Sequence, residues 1–407
     1  MPTKPKVLLS HPTGNANVRQ ILKLLHEEEA LAGFATSIYW EESAAWHPLL
    51  PSSVRRQFER RRFDVDKQRV LTNAFPEIIR QLNSKINWPY LNKRFSVDAI
   101  YDSLDRKVAR SLSSLQPDTV YCYEDGAENT FERAKELGVR CVYDLPIAFW
   151  KTSFRLMAEE SERLPRWAKT MTIRNDSEAK RARKDREISM ADNIICPSQF
   201  VYDSLPESIR ENTDCTIARF GCFNESGYRS RPTPKDEPLR VLFVGSMTQR
   251  KGLADIFEAF KAVKRKDLQL VVLGSLCEES SFYKNEYGDF QYEAPRPHGD
   301  VLKLMASCDL FILPSLVEGR ALVQLEALGV GLPLIITANT GGDDLIGPDN
   351  ETGFIVPIRS PEAIAERLNW FAENRDLIDD MKAACLVHAS KLSWETYRRN
   401  VADAILS

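Results

Sequence analysis

The chain has 407 residues and a formal net charge of −3, with 43% apolar and 28% charged residues. This is ordinary globular usage at a length of two or three domains, which excludes a disordered chain, a collagen-like repeat and a disulfide scaffold. The charge is uneven: residues 1–220 carry 34 Lys and Arg against 31 Asp and Glu, and residues 221–407 carry 21 against 27. Neither half has the dense one-sided basic patch that nucleic acid requires, so no nucleic-acid partner is expected.

The opening MPTKPKVLLSHPTG runs straight into a strand-and-turn pattern, which predicts no cleaved leader. A buried strand is predicted at 6–10, followed by the turn His11-Pro12-Thr13-Gly14-Asn15 and a helix from near Val18. Residues 51–69, PSSVRRQFERRRFDVDKQR, are strongly basic. They read either as a solvated helix face or as a surface for an anionic lipid or phosphorylated partner. Further strands are predicted at 34–39, 118–123, 140–144, 193–197 and 214–219, with a charged helix at about 170–191. This alternation predicts a parallel sheet with helices on both faces.

Residues 221–238 carry three prolines and two glycines among few large apolar residues, which suits a linker. The rhythm then restarts, with strands at 239–244, 268–273, 309–313, 333–337 and 353–356 and helices at 252–265, 299–307 and 320–329. Two α/β units of similar size are expected: 1–220, then 239–389, with a last helix at 390–407. Eight cysteines lie without CxxC spacing, several inside apolar runs, and five histidines are scattered. No zinc knuckle, redox pair or other metal site is expected. No stretch of about 18 apolar residues occurs, and a cytoplasmic protein is expected.

Two segments carry chemistry. In 311–342, a strand ends at Pro314-Ser315, a loop bears Glu318-Gly319 and a helix follows. Glu318 and Glu326 would stand roughly 12 Å apart along a continuous helix. That length matches the separation of sugar ring and ribose in an extended nucleotide diphosphate sugar. Free N–H groups and the positive dipole end between them suit a diphosphate. In 241–260, a strand ends at Gly245 and Arg250-Lys251-Gly252 opens a helix. Two cations at the positive end of a helix dipole call for a compensating anion. The plainer reading of each segment is a set of exposed surface charges.

The pair of segments, in this order and about 70 residues apart, resembles glycosyltransferase family 4. The matching residues are Gly245-Ser246-Met247-Thr248-Gln249-Arg250-Lys251-Gly252 and Pro314-Ser315-Leu316-Val317-Glu318-Gly319, closing at Glu326. Supporting matches are Ala191 to Ser198, Gly331-Leu332-Pro333, Thr340-Gly341-Gly342 and Thr352-Gly353-Phe354. The resemblance covers about 190–390 well and the first half thinly. It implies the GT-B fold, two Rossmann-like domains facing across a cleft, with the last helix returning to the first domain.

The resemblance also implies a retaining transferase that uses a nucleotide diphosphate sugar as donor, with no cofactor and no metal. Arg250 and Lys251 would hold the diphosphate and Glu318 the donor sugar, these three being the catalytic set. Glu326 would hold the ribose. Gly14, Gly245, Ser315, Gly319, Thr340, Gly341, Gly342 and His298 would complete the donor site. The acceptor would be a glycan, a lipid-linked sugar or a small molecule. Ser246 and Arg320 depart from the family pattern, and Arg320 would add positive charge to the sugar pocket. The family's first-domain histidine is replaced in the Tyr143-Asp144 region. Asp144, His11 and Asn15 are candidate acceptor or sugar contacts, though a turn histidine and a capping carboxylate are equally ordinary. The basic excess in 51–69 and 151–190 points to an anionic or membrane-associated acceptor. The alternatives are a non-hydrolysing sugar-nucleotide epimerase and an inactive sugar-nucleotide-binding homologue.

Overall fold

Apolar runs of four to six residues, too short for helices, assemble into two parallel sheets because amphipathic helices separate them and cover their faces. The computed structural model describes residues 4–41, 61–86, 88–171, 176–222 and 227–406, together with Arg55 and Glu59. Within the basic stretch 51–69, residues 51–54, 56–58 and 60 lie outside the described residues.

The first sheet contains β1 (Val7–Ser10), β2 (Leu31–Thr36), β3 (Val70–Thr72), β4 (Thr119–Tyr123), β5 (Arg140–Asp144), β6 (Asn193–Cys196) and β7 (Asp214–Ile217). Its spatial order is β3-β2-β1-β4-β5-β6-β7. The second contains β8 (Leu239–Val244), β9 (Leu268–Leu273), β10 (Gln291–Glu293), β11 (Leu310–Leu313), β12 (Leu334–Ile336) and β13 (Gly353–Ile355), ordered β10-β9-β8-β11-β12-β13. All pairings of these strands are parallel. Strand order reverses between β1 and β4 and again between β8 and β11. In open parallel sheets, loops at such reversals form the ligand crevice.

The strand expected at 34–39 lies at Leu31–Thr36, and the edge strands β3 and β10 were not expected. Both are three residues long and partly exposed, and Gln291-Tyr292-Glu293 has no apolar run to announce it. Residues 228–233 do not behave as a free linker. The buried Asp309 carboxylate takes the Arg231 guanidinium at 2.9 Å, and the Ser230 N–H donates to the Val330 carbonyl. A desolvated carboxylate needs cations, and it draws this segment onto the second domain.

The chain also crosses between the domains twice. The helix Trp394–Ile405, capped by Ser393, buries Tyr397, Val401 and Ile405 among Val7, Leu9 and Leu25 of the first core. Conversely, the 3-10 turn Pro165–Thr170 carries Trp167 into the second core, against Phe257, Phe282 and Tyr283 at 5.0–5.9 Å between ring centroids. The boundary expected at 220 therefore misses a segment of the first half that packs as part of the second domain. Replacing Trp167 with Ala is expected to cost about 3–5 kcal/mol, read by urea denaturation. A loss within about 0.5 kcal/mol would mean that this crossing is dispensable.

Candidate functional site

The loop after β8 and the loop after β11 meet through backbone and charge. The Leu316 N–H donates to the Arg250 carbonyl at 2.8 Å, and Arg250 Nη1 donates to the Val317 carbonyl at 2.6 Å. Glu318 Oε1 accepts from Lys251 Nζ at 2.6 Å and from Arg250 Nη1 at 2.9 Å. The Glu318 and Lys251 side chains are each 12% exposed. Burial alone would raise the Glu318 carboxyl pKa, but Lys251 and Arg250 outweigh it and hold the group below its usual value. Two cations on one carboxylate leave one net positive charge at this edge of the cleft.

Gly245 and Gly319 make this meeting sterically feasible. Gly245 has φ +154°, and a Cβ there would stand 2.7 Å from Lys251 Cδ. At Gly319 a Cβ would overlap the Pro146 carbonyl of the first domain, so only glycine allows the backbones to touch. Ser198 Oγ donates to the Gly319 carbonyl at 2.6 Å and accepts from the Val201 N–H, capping its own helix and pinning the two domains together.

The helix Leu322–Val330 begins two residues later than Arg320, because the Ala321 N–H is held by the Thr340 carbonyl. Its Glu326 contacts His298 Nε2 at 3.0 Å, at the start of the helix His298–Ala306. The structure thus brings together Arg250, Lys251 and Glu318, and separately Glu326 and His298.

Several expected donor contacts lie under the surface instead. Arg320 does not add free positive charge: its fully buried guanidinium is bidentate to Asp344, at 2.6 and 3.0 Å, and donates to the Gly341 carbonyl. Ser315 is buried, and its carbonyl accepts the Thr337 hydroxyl at 2.6 Å. Thr340 is buried, donates to the Thr337 carbonyl and receives Gln324 Nε2. Gly342 packs on the Gln324 side chain. These contacts hold the loop in shape, and Arg320 also lines the cavity beside Glu318 and Gly319.

In the first domain, Gly14 packs on the Phe63 ring, and the exposed Asn15 accepts from the Thr13 hydroxyl. His11 is fully buried, packs against the Tyr123 ring at 4.3 Å with the rings tilted by 52°, and accepts the Thr13 N–H at Nδ1. Burial pushes its pKa down to about 3, so the ring is neutral. Asp144 is buried beside Tyr121, and burial raises its carboxyl to about 7. Its carbonyl accepts the Glu124 N–H at 3.1 Å.

Sequence reading missed the other wall of the cleft. A cavity of about 480 Å³ is lined by Tyr101, Tyr123, Glu124 and Asp125 on one side and by Glu318 and Gly319 on the other. The Glu-Asp-Gly turn directly after β4, at the strand-order reversal, was the available signal. Behind it, Glu187 accepts the Asp125 and Ala127 N–H groups and the Tyr143 hydroxyl, at 2.9–3.0 Å. Burial nevertheless raises its carboxyl to about 8.

Two facing parallel sheets with ligand loops at both strand-order reversals define the GT-B architecture. Sucrose-phosphate synthase from Thermosynechococcus elongatus superposes with a TM-score of 0.66 at 14% identity, over 98% of each chain. Anabaena HepE in complex with UDP and glucose does so at 0.61 and 16%, over 98% of this chain and 99% of that one. Residues 226–385 match the family described as glycosyl transferases group 1. Among curated relatives, a D-inositol 3-phosphate glycosyltransferase of Corynebacterium kroppenstedtii is 24% identical over 56% of each chain. A putative colanic acid biosynthesis glycosyltransferase of Escherichia coli is 27% identical over 33% of this chain and 36% of its own. The chain spans about half the length of the first curated relatives it matches. The fold is GT-B, and the second domain is similar to the glycosyl transferases group 1 family.

Raised carboxyls make a distinct pH signature. Glu187 in the native state holds a proton that the unfolded chain releases near 4.5, so its contribution favours folding at acid pH and is lost as pH rises towards about 8. The stability lost between about pH 5 and about pH 8.5 is expected to be smaller in Glu187→Gln than in the parent protein, measured by urea denaturation at both values. An equal loss in the two would place the proton elsewhere.

Proposed function

We propose that the protein is a retaining glycosyltransferase that moves a sugar from a nucleotide diphosphate sugar to an acceptor hydroxyl, without a metal. The observation that carries this reading is the half-buried cluster of Arg250, Lys251 and Glu318 at the seam of the two domains, with its residual positive charge. The group 1 family match and the glycosyltransferase names of the curated relatives support it.

In this reading the diphosphate lies against Arg250 and Lys251, a forked guanidinium beside a point-charge ammonium. The ribose hydroxyls bond to Glu326, which His298 orients, and the sugar hydroxyls lie near Glu318 and the Gly319 backbone. The bond from the anomeric carbon to the diphosphate oxygen breaks, and the negative charge that grows on that oxygen is stabilised by the two fixed cations. The acceptor oxygen bonds to the anomeric carbon on the same face, and its proton passes to the departing phosphate. Atoms and charge balance without a protein nucleophile.

Calorimetry with UDP, GDP and ADP in the presence of a chelator tests this. One of the three is expected to bind, with Lys251→Ala and Glu326→Ala each weakening it at least about tenfold. Arg250 still neutralises Glu318 in Lys251→Ala, so the thermal midpoint of that variant should stay close to the parent. Failure of all three nucleotides to bind would remove the donor reading.

A further inference from the structure

Outside the cleft, the first domain leaves a group of large apolar side chains in water. Among the described residues, Phe75, Leu82, Trp88, Tyr90 and Val97 are all exposed, the three aromatic ones by 61–70%. One exposed apolar side chain is ordinary. Several on one short stretch of chain mark a surface that meets a partner.

The exposure is built into the fold. The helix Ala74–Ile86 turns Ala74 and Ile78 inward onto Ile38 and Trp40. Phe75 and Leu82, seven positions apart, share its outer face. The buried Asn83 amide then clamps the Trp88 backbone, accepting its N–H at 3.1 Å and donating to its carbonyl at 3.2 Å. Asn83 Nδ2 also donates at 2.7 Å to Asn92 Oδ1, on the helix Pro89–Arg94. The Phe75 and Phe95 rings meet edge to face at 6.5 Å, joining the start of the first helix to the end of the second. Trp88 and Tyr90 are therefore held outward by a specific polar clamp.

The charges around this patch are mainly of one sign. Residues 74–97 hold Arg80, Lys85, Lys93 and Arg94 against Glu77 alone. Glu77 is buried and accepts Arg80 Nε and Nη2 at 2.8 and 2.6 Å. Asp98, just beyond the patch, is taken up by Lys180 at 3.2 Å and Arg183 at 3.5 Å. Arg94 donates to the Tyr90 hydroxyl at 3.0 Å and lies over the Phe95 ring. Its stem thus covers apolar surface while its head stays at the water boundary. Arg61 of the basic stretch lies within electrostatic reach of Glu77 and Arg80, and its buried Nη1 has no hydrogen-bond partner. Aromatic rings with polar tips, set among cations, suit the headgroup level of a bilayer. A second copy of the chain fits less well, because a two-fold interface would press like charges together.

We propose that the surface formed by the helices Ala74–Ile86 and Pro89–Arg94 docks on an anionic lipid bilayer. Phe75, Trp88 and Tyr90 enter the headgroup layer, and Arg94 faces the anionic headgroups. Val97, at the end of the patch, also lines the cleft cavity, so a docked bilayer lies beside the cavity mouth. The proposal stands on this surface and does not need the transfer reading.

Vesicle flotation of the full chain tests it, with phosphatidylcholine alone or with about 30% phosphatidylglycerol. The protein is expected to float with the anionic vesicles, with an affinity at least about tenfold above that for the neutral ones. Trp88→Ser with Tyr90→Ser, and separately Phe75→Ser with Leu82→Ser, are each expected to lower that affinity about tenfold or more. These side chains are exposed, so the urea midpoints should stay close to the parent's, and either pair that folds decides the matter. Four outcomes overturn the proposal: no binding to anionic vesicles, equal binding to both compositions, affinity unmoved in both double variants, or a dimer that Trp88→Ser dissociates while vesicles stay unbound. The last would assign the patch to a second copy of the chain.

Discussion

The carboxylate of Glu318 lies between Arg250 and Lys251 at the point where two loops of one domain meet the backbone of the other. A carboxylate taken out of water is tolerated only when cations and hydrogen bonds replace its hydration. That requirement sets the rest of the site. It fixes the loop after β11 against the loop after β8 and carries Gly319 into contact with Pro146. It also places the start of the helix Leu322–Val330, and with it Glu326, at a set distance from the two cations. The pairing is asymmetric in charge, two positive groups on one negative, and the proposed diphosphate contact rests on that surplus.

A second constraint holds the seam closed from behind. Gln249 Nε2 donates to Glu160 at 2.7 Å and to Asp255 at 2.8 Å, and Arg163 reaches both carboxylates. Arg359 of the second domain adds a further contact to Glu160. Glu160 is fully buried and accepts from Gln249, Arg163 and Arg359. The Thr248 hydroxyl donates to the Thr170 carbonyl. The loop that carries Arg250 and Lys251 is thus gripped by residues 160–170, which belong to the first half of the chain by sequence and to the second domain by packing. Positions of the two cations depend on this crossing as much as on β8.

The two walls of the cleft differ in how they use charge. On the side of Arg250 and Lys251, cations exceed the carboxylate they share. On the other side, Asp98, Glu124, Asp125 and Asp176 surround Lys180, Arg183 and Lys184, so the excess is negative or nil. Bulk composition reverses this, with a basic first half and an acidic second half. The reversal arises because a few buried pairs, rather than the many solvated charges, set the field where ligands would lie.

How much could be read from the sequence follows from the range of each interaction. The alternation of apolar runs and amphipathic segments is local, and it established two α/β units, most of the strands and the Gly245 and Glu318 motifs. Thr352 and Ser198 stood out as motif residues, and their contacts in the fold are structural: Ser198, for example, pins Gly319 across the domain seam. Arg320 read as a free cation because Asp344 lies 24 residues away, and only folding brings its carboxylate to 2.6 Å. The short edge strands β3 and β10 left no periodicity to find. The Glu124-Asp125 wall, the docking of Trp167 and the neutralised basic helix all depend on contacts between residues far apart in the chain. Local propensity and pattern specify which segments become strands and helices, whereas net charge at a buried site is a property of neighbours, and neighbours are set by the tertiary structure.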